Sequence, residues 1–427
     1  MSDAGPGKII RDPLWNTIRL DPTALRIVDT AEFQRLRYIR QLGLTHLVYP
    51  GATHTRFDHA LGVYHLTVTA LRHLRERGGV PPEAWEAEEL IPYAALLHDI
   101  GHFPFSHALE ELETDHVPAH HEEVSQLFFA APSMRDALAP LGLTAADRIH
   151  ELIRGKSDSP RRGLISGSLD LDKMEYLRRD ARFCGVPYGE VDVARLLQGL
   201  ALLPDPDSGR YEVGVHEKAV AALESLLFAK YQMFRNVYWH HAVRSATALY
   251  KRIVEEAVRG GLLDPDDLVG PTDEELLHEI GSRAEEDVGD EIAQRIATRW
   301  LPALKQRRLP KRALELTAAD LAGRQVEDWA VGDSPWKRAV EDDLADELGL
   351  ESGEVMIDFP VKVAMFQLDI LVERRGGRVE RLGAEGLEGL VDLPKVAREL
   401  YTTARVLRVF TLERREVSAE QVLERIT

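Results

Sequence analysis

The chain has 427 residues, of which 44% are hydrophobic and 29% charged, a composition typical of folded domains that excludes a disordered, collagen-like or coiled-coil chain. A net charge of −18, from 53 Lys and Arg against 71 Asp and Glu, disfavours broad adhesion to nucleic acid or to anionic membranes. One cysteine excludes an internal disulfide, no apolar run approaches the roughly 20 residues that span a bilayer, and the polar start lacks a signal-peptide pattern. We therefore expect a cytoplasmic protein with no membrane partner.

The first predicted elements are rich in histidine. Between His46 and His121 lie 11 of the 16 histidines, several times more than even spacing would place there. Apolar residues recur at helical spacing after Arg56-Phe57-Asp58-His59, and a second apolar stretch from Leu90 to Leu97 ends in His98-Asp99. This spacing predicts two helices that bring polar side chains to the interior.

Two more helices are expected downstream. One begins near Ser168 and carries Asp172 and Lys173, and a long aromatic-rich helix runs from about Glu217 to Val258. Residues 264–291 then contain twelve acidic residues, and residues 295–312 contain seven basic ones. We expect a boundary or surface lobe here, formed either by two oppositely charged solvated helical faces or by a segment with a regulatory or phosphate-binding role.

Beyond Leu350 the pattern changes from helices to strands. Residues 354–359 and 368–372 are strand-like, and Gly376-Gly377 indicates a turn, so we expect a small α+β region at this end. The chain has neither a Walker-type phosphate loop nor a Gly-rich dinucleotide fingerprint. Phosphate chemistry would therefore need a metal ion.

The segment that follows the second helix is the strongest candidate for such a site. His98-Asp99 runs directly into Ile100–His107, where Gly101 and Pro104 interrupt helical geometry and free polar side chains to share one pocket. Imidazole and carboxylate groups are suitable ligands for Mn, Fe, Zn or Mg, and a site completed by water could generate hydroxide near neutral pH. His59 and Asp172 are natural further ligands. The alternative is that His59 lies on a helix face and Asp172 caps a helix or lies on the surface.

The order His59, His98-Asp99, Asp172 resembles the H…HD…D metal site of HD-domain phosphohydrolases. Residues 33–43, 56–59, 98–107 and 170–180 are similar to the dNTP triphosphohydrolase branch, whose animal member carries a sterile-alpha-motif domain before the HD domain; we expect no such domain here. The resemblance covers residues 8 to 260. It implies a mainly α fold with an HD-type catalytic helical domain at 1–262, and the charge and strand patterns described above add a charged helical lobe at 263–345 and a small α+β region at 346–427.

The resemblance also implies roles for the site residues. His59, His98, Asp99 and Asp172 would hold a divalent metal ion, and Arg56 and Lys173 would bind the phosphates. His107 would act as general acid, held by Glu110, because a spacing of three residues puts both side chains on one helix face. Glu110 stands where the animal enzyme has aspartate. His102 and His121 would contact phosphate oxygens and transfer protons. The alternatives are a solvated Lys173 and an exposed helical Glu110.

The remaining implied contacts concern the nucleoside. Gln41 and Asp180 would bind the sugar 3′-hydroxyl, Leu42 would lie beside the base, and Tyr176 would pack at C2′ and exclude a 2′-hydroxyl. Tyr176 as an ordinary core aromatic is the alternative. Tyr238 and His240 fall where base contacts occur in the relative, but Trp239 and Lys230 replace a glutamine and an arginine there, so no base preference is carried over.

A second set of residues matches the guanine-nucleotide activator site of the animal enzyme. Lys8, Asp29, Gln34 and Arg37 would bind a GTP or dNTP activator at a subunit junction, which requires an oligomer, either a tetramer or a dimer. Asp29 could accept from guanine N–H groups and Lys8 could meet phosphate. The alternative is that Asp29 caps the helix that follows it and that Gln34 and Arg37 are surface residues.

These implications define the expected function and its competitors. The first hypothesis is a metal-dependent triphosphohydrolase that converts a dNTP into deoxynucleoside and tripolyphosphate. The second keeps the same site for another phosphoester, such as a monophosphate, a cyclic nucleotide or an alarmone. The third is a nucleotide-sensing or single-strand nucleic-acid-binding protein with a vestigial site, which residues 295–312 permit but the net charge does not favour.

Overall fold

The computed structural model describes residues 7–78, 88–112, 117–118, 121–322, 335–360, 369–387 and 392–426. The protein is mainly helical with small sheets, as the sequence predicts. The helices are α1 (Pro22–Val28), α2 (Ala31–Gln34), α3 (Arg56–Arg77), α4 (Ile91–Leu97), α5 (His121–Phe129), α6 (Pro132–Leu138), α7 (Ala145–Ile153), α8 (Leu171–Cys184), α9 (Val193–Gly199), α10 (Val220–Met233), α11 (His241–Arg259), α12 (Asp273–Glu286), α13 (Glu291–Arg295), α14 (Leu301–Lys305), α15 (Pro335–Leu348), α16 (Leu393–Ala404) and α17 (Ala419–Ile426). The strands are β1 (Lys8–Asp12), β2 (Asn16–Leu20), β3 (Leu200–Pro204), β4 (Tyr211–His216), β5 (Lys311–Leu316), β6 (Val355–Asp358), β7 (Ile370–Glu373), β8 (Val379–Leu382) and β9 (Leu407–Thr411).

Three helices set the frame of the site, since α3 packs against both α4 and α8. Helix α3 begins at Arg56 because the Asp58 carboxylate accepts hydrogen bonds from both the backbone N–H and the hydroxyl of Thr55, each at 3.0 Å. Helix α8 begins after Asp170, whose side chain accepts from the backbone N–H of Lys173 at 3.0 Å. The first turns of α3 and α8 and the last turn of α4 thereby have defined positions.

The prediction of one long helix over 217–258 is wrong in one respect, because this segment forms two helices, α10 and α11, with a break between them. The end of α10 widens into a π-helical turn at Phe234–Tyr238, and His240 leaves helical geometry with ψ of 132° and caps α11. The aromatic rings of Phe234 and Trp239 pack together near Tyr401 of α16. This long-range packing, which has no local sequence pattern, stabilises the break, and π-helical turns of this kind are frequent at functional sites.

The strands form three separate sheets. β1 and β2 make a hairpin, β5, β9 and β6 form an antiparallel sheet in that order, and the order β3-β4-β7-β8 includes one parallel pair, β4 and β7. The predicted strands of the C-terminal region are confirmed as β6 and β7, although Leu368 lies outside the described residues. Gly376 and Gly377, both with positive φ, make the turn between β7 and β8.

Apolar packing joins the site to the rest of the chain. The main core includes buried residues of α3, α4, α8 and α10. A second cluster packs Phe103, Phe105 and Leu109 against α11, α12 and α14, so the segment after the His98-Asp99 pair lies on helices that come much later in the chain. Among the described helices, none is both long enough and apolar enough to cross a membrane.

Candidate active site

The predicted metal ligands come from three helices and meet at one point. His59 lies on α3, His98 caps the end of α4, and Asp172 lies in the first turn of α8. The His59 Nε2 atom is 3.0 Å from Asp172 Oδ1 and 3.2 Å from His98 Nε2. Asp99 completes the group, with Oδ1 3.3 Å from His98 Nε2 and Oδ2 3.6 Å from His59 Nε2. The structure thus brings together all four residues that the sequence singled out.

The hydrogen bonds of the two histidines show that this group fits a cation. His98 Nδ1 lies 2.8 Å from the backbone oxygen of Ala95, which can only accept, so Nδ1 carries a proton and Nε2 is the nitrogen left to bind a metal ion. His59 Nδ1 donates in the same way to Glu175 Oε2 at 2.7 Å. Two imidazole nitrogens and two carboxylates, oriented by such outer contacts, suit a divalent metal.

The charges around the group keep its carboxylates ionised. Burial by itself would raise the pKa of Asp99, but the neighbouring Arg56 holds that pKa well below its usual range. Burial likewise opposes ionisation of Asp172, and hydrogen bonds with His59 and His98 outweigh it and lower its pKa. The carboxylates of Asp99 and Asp172 are therefore both available as anionic ligands at neutral pH.

Arg56 connects the metal group to the cavity. Its side chain is buried, with NH1 donating to Asp99 Oδ2 at 2.5 Å and Nε donating to Ser106 Oγ at 3.2 Å. The remaining nitrogen, NH2, is buried and has no hydrogen-bond partner among the described residues. A buried donor without a partner is costly, so this nitrogen is suited to an anionic ligand such as a phosphate oxygen. Lys173, the other predicted phosphate ligand, is bound to Asp170 and to the backbone oxygen of Gly167.

A second cluster of histidines lies beside the first. Glu110 accepts from His107 Nδ1 at 2.8 Å through one oxygen and from His121 Nδ1 through the other. The His102 ring stacks on His121 with centroids 3.7 Å apart, and His102 Nε2 lies 3.1 Å from Asp99 Oδ1. Burial and the nearby Arg56 lower the pKa of His102 well below its usual range, so its ring is neutral. The spacing argument for His107 and Glu110 is confirmed in geometry.

The proposed sugar-binding residues Gln41, Tyr176 and Asp180 line one cavity. Asp180 is buried, accepts from the hydroxyl of Tyr238 at 2.5 Å, and lies 2.8 Å from His54 Nε2. Gln41 is nearly buried, and its Oε1 has no partner among the described residues. Burial, followed by the nearby carboxylates, raises the pKa of Tyr176 well above its usual value, so this side chain stays neutral.

One cavity of about 1610 Å³ connects these groups. Most of the predicted site residues line it, namely Gln41, Leu42, Arg56, His98, Asp99, His102, His107, Glu110, His121, Asp172, Lys173, Tyr176, Asp180 and Tyr238. His59 is fully buried behind it. His240 is not among the lining residues; it caps α11 and accepts from the backbone N–H of Ala242 at 3.3 Å. Trp239 and Lys230, which replace residues of the relative, do line the cavity.

Comparison with known proteins agrees with this geometry. The model of the HD domain matches residues 56–181, the span that carries all four candidate ligands, and the model of the HD associated region matches residues 191–385. The chain therefore contains an HD domain followed by an HD associated region.

Among the relatives of this HD-domain protein is an uncharacterized protein of Methanocaldococcus jannaschii, 36% identical over 270 residues, or 63% of this chain and 54% of that one. The human deoxynucleoside triphosphate triphosphohydrolase SAMHD1 is 27% identical over 404 residues, or 85% of this chain and 62% of that protein. The chain thus spans little more than half the length of these relatives. A crystal structure of a hypothetical protein from Aquifex aeolicus matches over 98% of both chains, with a TM-score of 0.68 and 25% identity.

The predicted activator residues of the HD-domain protein lie outside the cavity. Lys8 is exposed on β1, and the Gln34 side chain donates to the Val28 backbone oxygen and accepts from Arg37 Nε. The alternative, that Asp29 caps the helix after it, is wrong, because Asp29 ends α1 and the hydroxyl of Thr30 caps α2 by accepting from Phe33 N at 3.3 Å. Asp29 is therefore exposed and does not cap α2.

Sequence reasoning missed the residues that hold the ligands in place. Glu175 contacts His59, Arg179 contacts Glu175, and His54 contacts Asp180. Glu175 follows Asp172 by three residues on α8, so helical spacing could have indicated a shared face. Nothing local to His54 indicates its partner, which lies 126 residues away.

Proposed function

We propose that this protein is a metal-dependent dNTP triphosphohydrolase, which uses water to convert a dNTP into a deoxynucleoside and tripolyphosphate. The observation that carries the proposal is the shared cavity, which presents the metal-ligand cluster, an unpartnered guanidinium nitrogen, a histidine–glutamate pair and the sugar-end residues to one space. The naming of a relative, SAMHD1, as a deoxynucleoside triphosphate triphosphohydrolase supports the same reaction.

The phosphate end of the reaction depends on charge neutralisation. A divalent cation held by His59, His98, Asp99 and Asp172 would supply Lewis acidity and acidify a bound water. Arg56 NH2 would donate to an oxygen of the triphosphate, because Arg56 lines the cavity and this buried nitrogen has no hydrogen-bond partner among the described residues. Lys173 would add a point charge after giving up one of its present contacts with Asp170 and Gly167.

The leaving-group end requires a proton. Attack of water at the α-phosphorus breaks the bond to the nucleoside 5′-oxygen, which leaves as a hydroxyl only if it receives a proton. His107 Nδ1 is held by Glu110, so Nε2 is the nitrogen that can deliver the proton. Glu110 would stabilise the charged imidazolium. Burial by itself would raise the pKa of Glu110, but His107 and His121 lower that pKa well below its usual value, so Glu110 is anionic.

The sugar end would select deoxyribose. Asp180 has one oxygen beside His54 Nε2 and the other beside the Tyr238 hydroxyl, which fixes the carboxylate while leaving further lone pairs for a substrate 3′-hydroxyl. Gln41 adds an acceptor without a partner in the described chain. The half-buried Tyr176 lies between Asp172 and Asp180 on α8, where its ring would exclude a 2′-hydroxyl.

The proposal includes activation of an oligomer by GTP or dNTP at Lys8, Asp29, Gln34 and Arg37. The exposed carboxylate of Asp29 is compatible with binding guanine N–H groups, whereas Arg37 would have to leave Gln34 and the face of Phe57, 3.5 Å from its guanidinium. Turnover of each dNTP with and without GTP, together with the mass in solution, tests this part. Equal rates from a monomer would remove it.

The structure gives less support to nucleic-acid binding by residues 295–312. Arg299 pairs with the buried Glu354, Arg295 lies 3.6 Å from Glu351, and Arg312 lies 2.7 Å from Glu315. These cations are already neutralised within the protein, so fewer counterions would be released when phosphates bind.

Product analysis tests the function. We expect the purified protein with Mn²⁺ or Mg²⁺ to convert dNTPs into deoxynucleosides and tripolyphosphate, resolved by chromatography, and to turn over ribonucleotides much more slowly. Monophosphate or pyrophosphate products, or turnover confined to cyclic nucleotides or alarmones, would favour the other phosphoester hypothesis. Absence of any phosphate release, with salt-dependent oligonucleotide binding, would favour the nucleotide-sensing or nucleic-acid-binding hypothesis.

A further inference from the structure

Glu175 is the residue that orients the metal ligand His59. Its side chain is completely buried; Oε2 accepts from His59 Nδ1 at 2.7 Å, and Oε1 accepts from Arg179 Nε at 2.7 Å. Because Glu175 Oε2 occupies the His59 Nδ1 side of the ring, Nε2 is the nitrogen of His59 that faces the proposed metal site.

The third donor to Glu175 comes from the N-terminal hairpin β1–β2. Trp15, in the hairpin turn, donates from its indole Nε1 to Glu175 Oε1 at 2.9 Å, across 160 residues of sequence. Asp12 builds that turn, because its Oδ1 accepts from the backbone N–H groups of Leu14 and Trp15 at 2.8 and 2.7 Å. Its other oxygen accepts from Arg179 at 2.9 Å. The hairpin thus contacts Glu175 directly through Trp15 and indirectly through Arg179.

Helix α3 leaves room for this arrangement at a single position. A Cβ atom on Gly62, three residues after His59, would lie 2.0 Å from Glu175 Oε1. Any side chain there would displace the carboxylate, so glycine at this helical position allows Glu175 to lie between α3 and α8. Glycine in a helix interior is unfavourable relative to alanine, and the placement of Glu175 explains why glycine stands at this position.

We propose that the N-terminal hairpin is a structural part of the metal centre, with Trp15 as a positioning residue that fixes Glu175 and, through it, the Nε2 lone pair of His59. The inference rests on the metal site of the proposed function but not on its substrate. Without the indole N–H, Glu175 Oε1 keeps only Arg179 as donor, the carboxylate can rotate away from His59, and the imidazole loses its fixed tautomer. Metal affinity should therefore depend on a residue that contacts no ligand of the metal.

The variant Trp15→Phe tests this, because it retains an aromatic ring against Arg178 and His65 and removes only the N–H donor and part of the indole. Calorimetric titration with Mn²⁺ alone should show affinity about 10-fold weaker than in the unaltered protein, as for other outer contacts of metal ligands. The visible absorption of the Co²⁺-loaded protein should also change, while the melting temperature should not. Trp336→Phe, at an exposed tryptophan, is the matched control and should change none of these.

Gly62→Ala approaches Glu175 from the opposite side and should weaken Mn²⁺ binding at least as much. Its control is Gly289→Ala, where a Cβ would meet no atom within 4 Å. Wild-type Mn²⁺ affinity and an unchanged Co²⁺ spectrum in Trp15→Phe would overturn the inference. So would weaker binding that appears only together with a matching loss of melting temperature, because that pattern indicates general destabilisation.

These measurements separate the inference from the proposed activity. They use no nucleotide, so a protein that fails to hydrolyse dNTPs could still show the Trp15 effect on metal binding. Conversely, a Trp15→Phe variant with normal metal affinity would leave the dNTP hydrolysis proposal standing.

Discussion

Two histidine–carboxylate clusters share the cavity, and they differ in composition and exposure. The metal-ligand cluster pairs two imidazoles with Asp99 and Asp172 and is largely buried. The neighbouring cluster has three imidazoles around the single carboxylate of Glu110, and the His107 side chain is 64% exposed. One carboxylate for each imidazole favours a bound cation, whereas three imidazoles that share one carboxylate suit proton transfer. The difference suggests distinct tasks for two groups made of the same residue types.

The two clusters are also anchored differently. Glu175 with Arg179 supports the metal-ligand cluster, and both residues lie on α8 within the HD-domain match. The second cluster is supported by Glu111, which follows Glu110 and pairs with Arg244 of α11 at 2.8 Å, while Arg244 also binds Asp358 of β6. The geometry of the first cluster is thus set mainly within residues 56–181, together with the N-terminal hairpin, whereas the second cluster, for which we propose proton transfer, also depends on α11 and β6 much later in the chain.

Removing a metal ligand should have the largest effect. His98→Ala or Asp99→Ala should reduce dNTP hydrolysis by at least about 1000-fold, because the cation contributes several kcal/mol to the transition state. Mn²⁺ binding should be lost in parallel, and circular dichroism should show that the fold survives. Normal activity of either variant, or of metal-depleted wild type, would contradict the assignment of this cluster to a metal.

Removing the proposed general acid should have a smaller and different effect. His107→Ala should lower kcat by about 100-fold without changing Mn²⁺ affinity, since His107 lies outside the metal-ligand cluster. A triphosphate ester of 4-nitrophenol, whose leaving group needs no proton, should recover most of that loss in His107→Ala but none in His98→Ala. The exposed His278 provides the control, as His278→Ala should behave as wild type. Equal defects with both substrates would exclude His107 as the acid.

The ion pairs of Glu111, which support the second cluster, should make the stability of the protein depend on pH. Arg244 and Lys251 outweigh burial and lower the pKa of Glu111 from 4.5 to about 2. Below about pH 5 the unfolded chain takes up the Glu111 proton before the folded protein does, so this contribution to stability is present at neutral pH and falls as pH falls toward 2.

Glu111→Gln should therefore destabilise the protein at pH 7, by on the order of 3 kcal/mol for a broken buried pair, and the difference from wild type should narrow between pH 5 and pH 3. Melting temperatures across this range measure it. A difference that stays constant with pH would show that the Glu111 charge is not what stabilises this segment.

The sequence predicted some parts of this structure and not others for identifiable reasons. Helices α3, α4 and α8 have strong apolar spacing, and capping residues such as Asp58 and Asp170 indicate where two of them begin. The break at His240 was missed because aromatic residues continue the helical pattern through it, and the packing of Trp239 near Tyr401 that stabilises the break is long-range. The alternative that Asp29 caps the following helix is wrong because Thr30, one residue later, caps α2.

The sequence alone predicted which histidines and carboxylates would lie together, in which order along the chain, and on which helices. Spacing and residue type contain that information because a ligand set must be delivered by local elements. Only the tertiary structure decided what supports those residues, including Trp15 and Arg179 at Glu175, His54 at Asp180 and Arg244 at Glu111. Most of these contacts join residues far apart in the chain, and a buried hydrogen bond between distant side chains leaves no periodic trace in either partner.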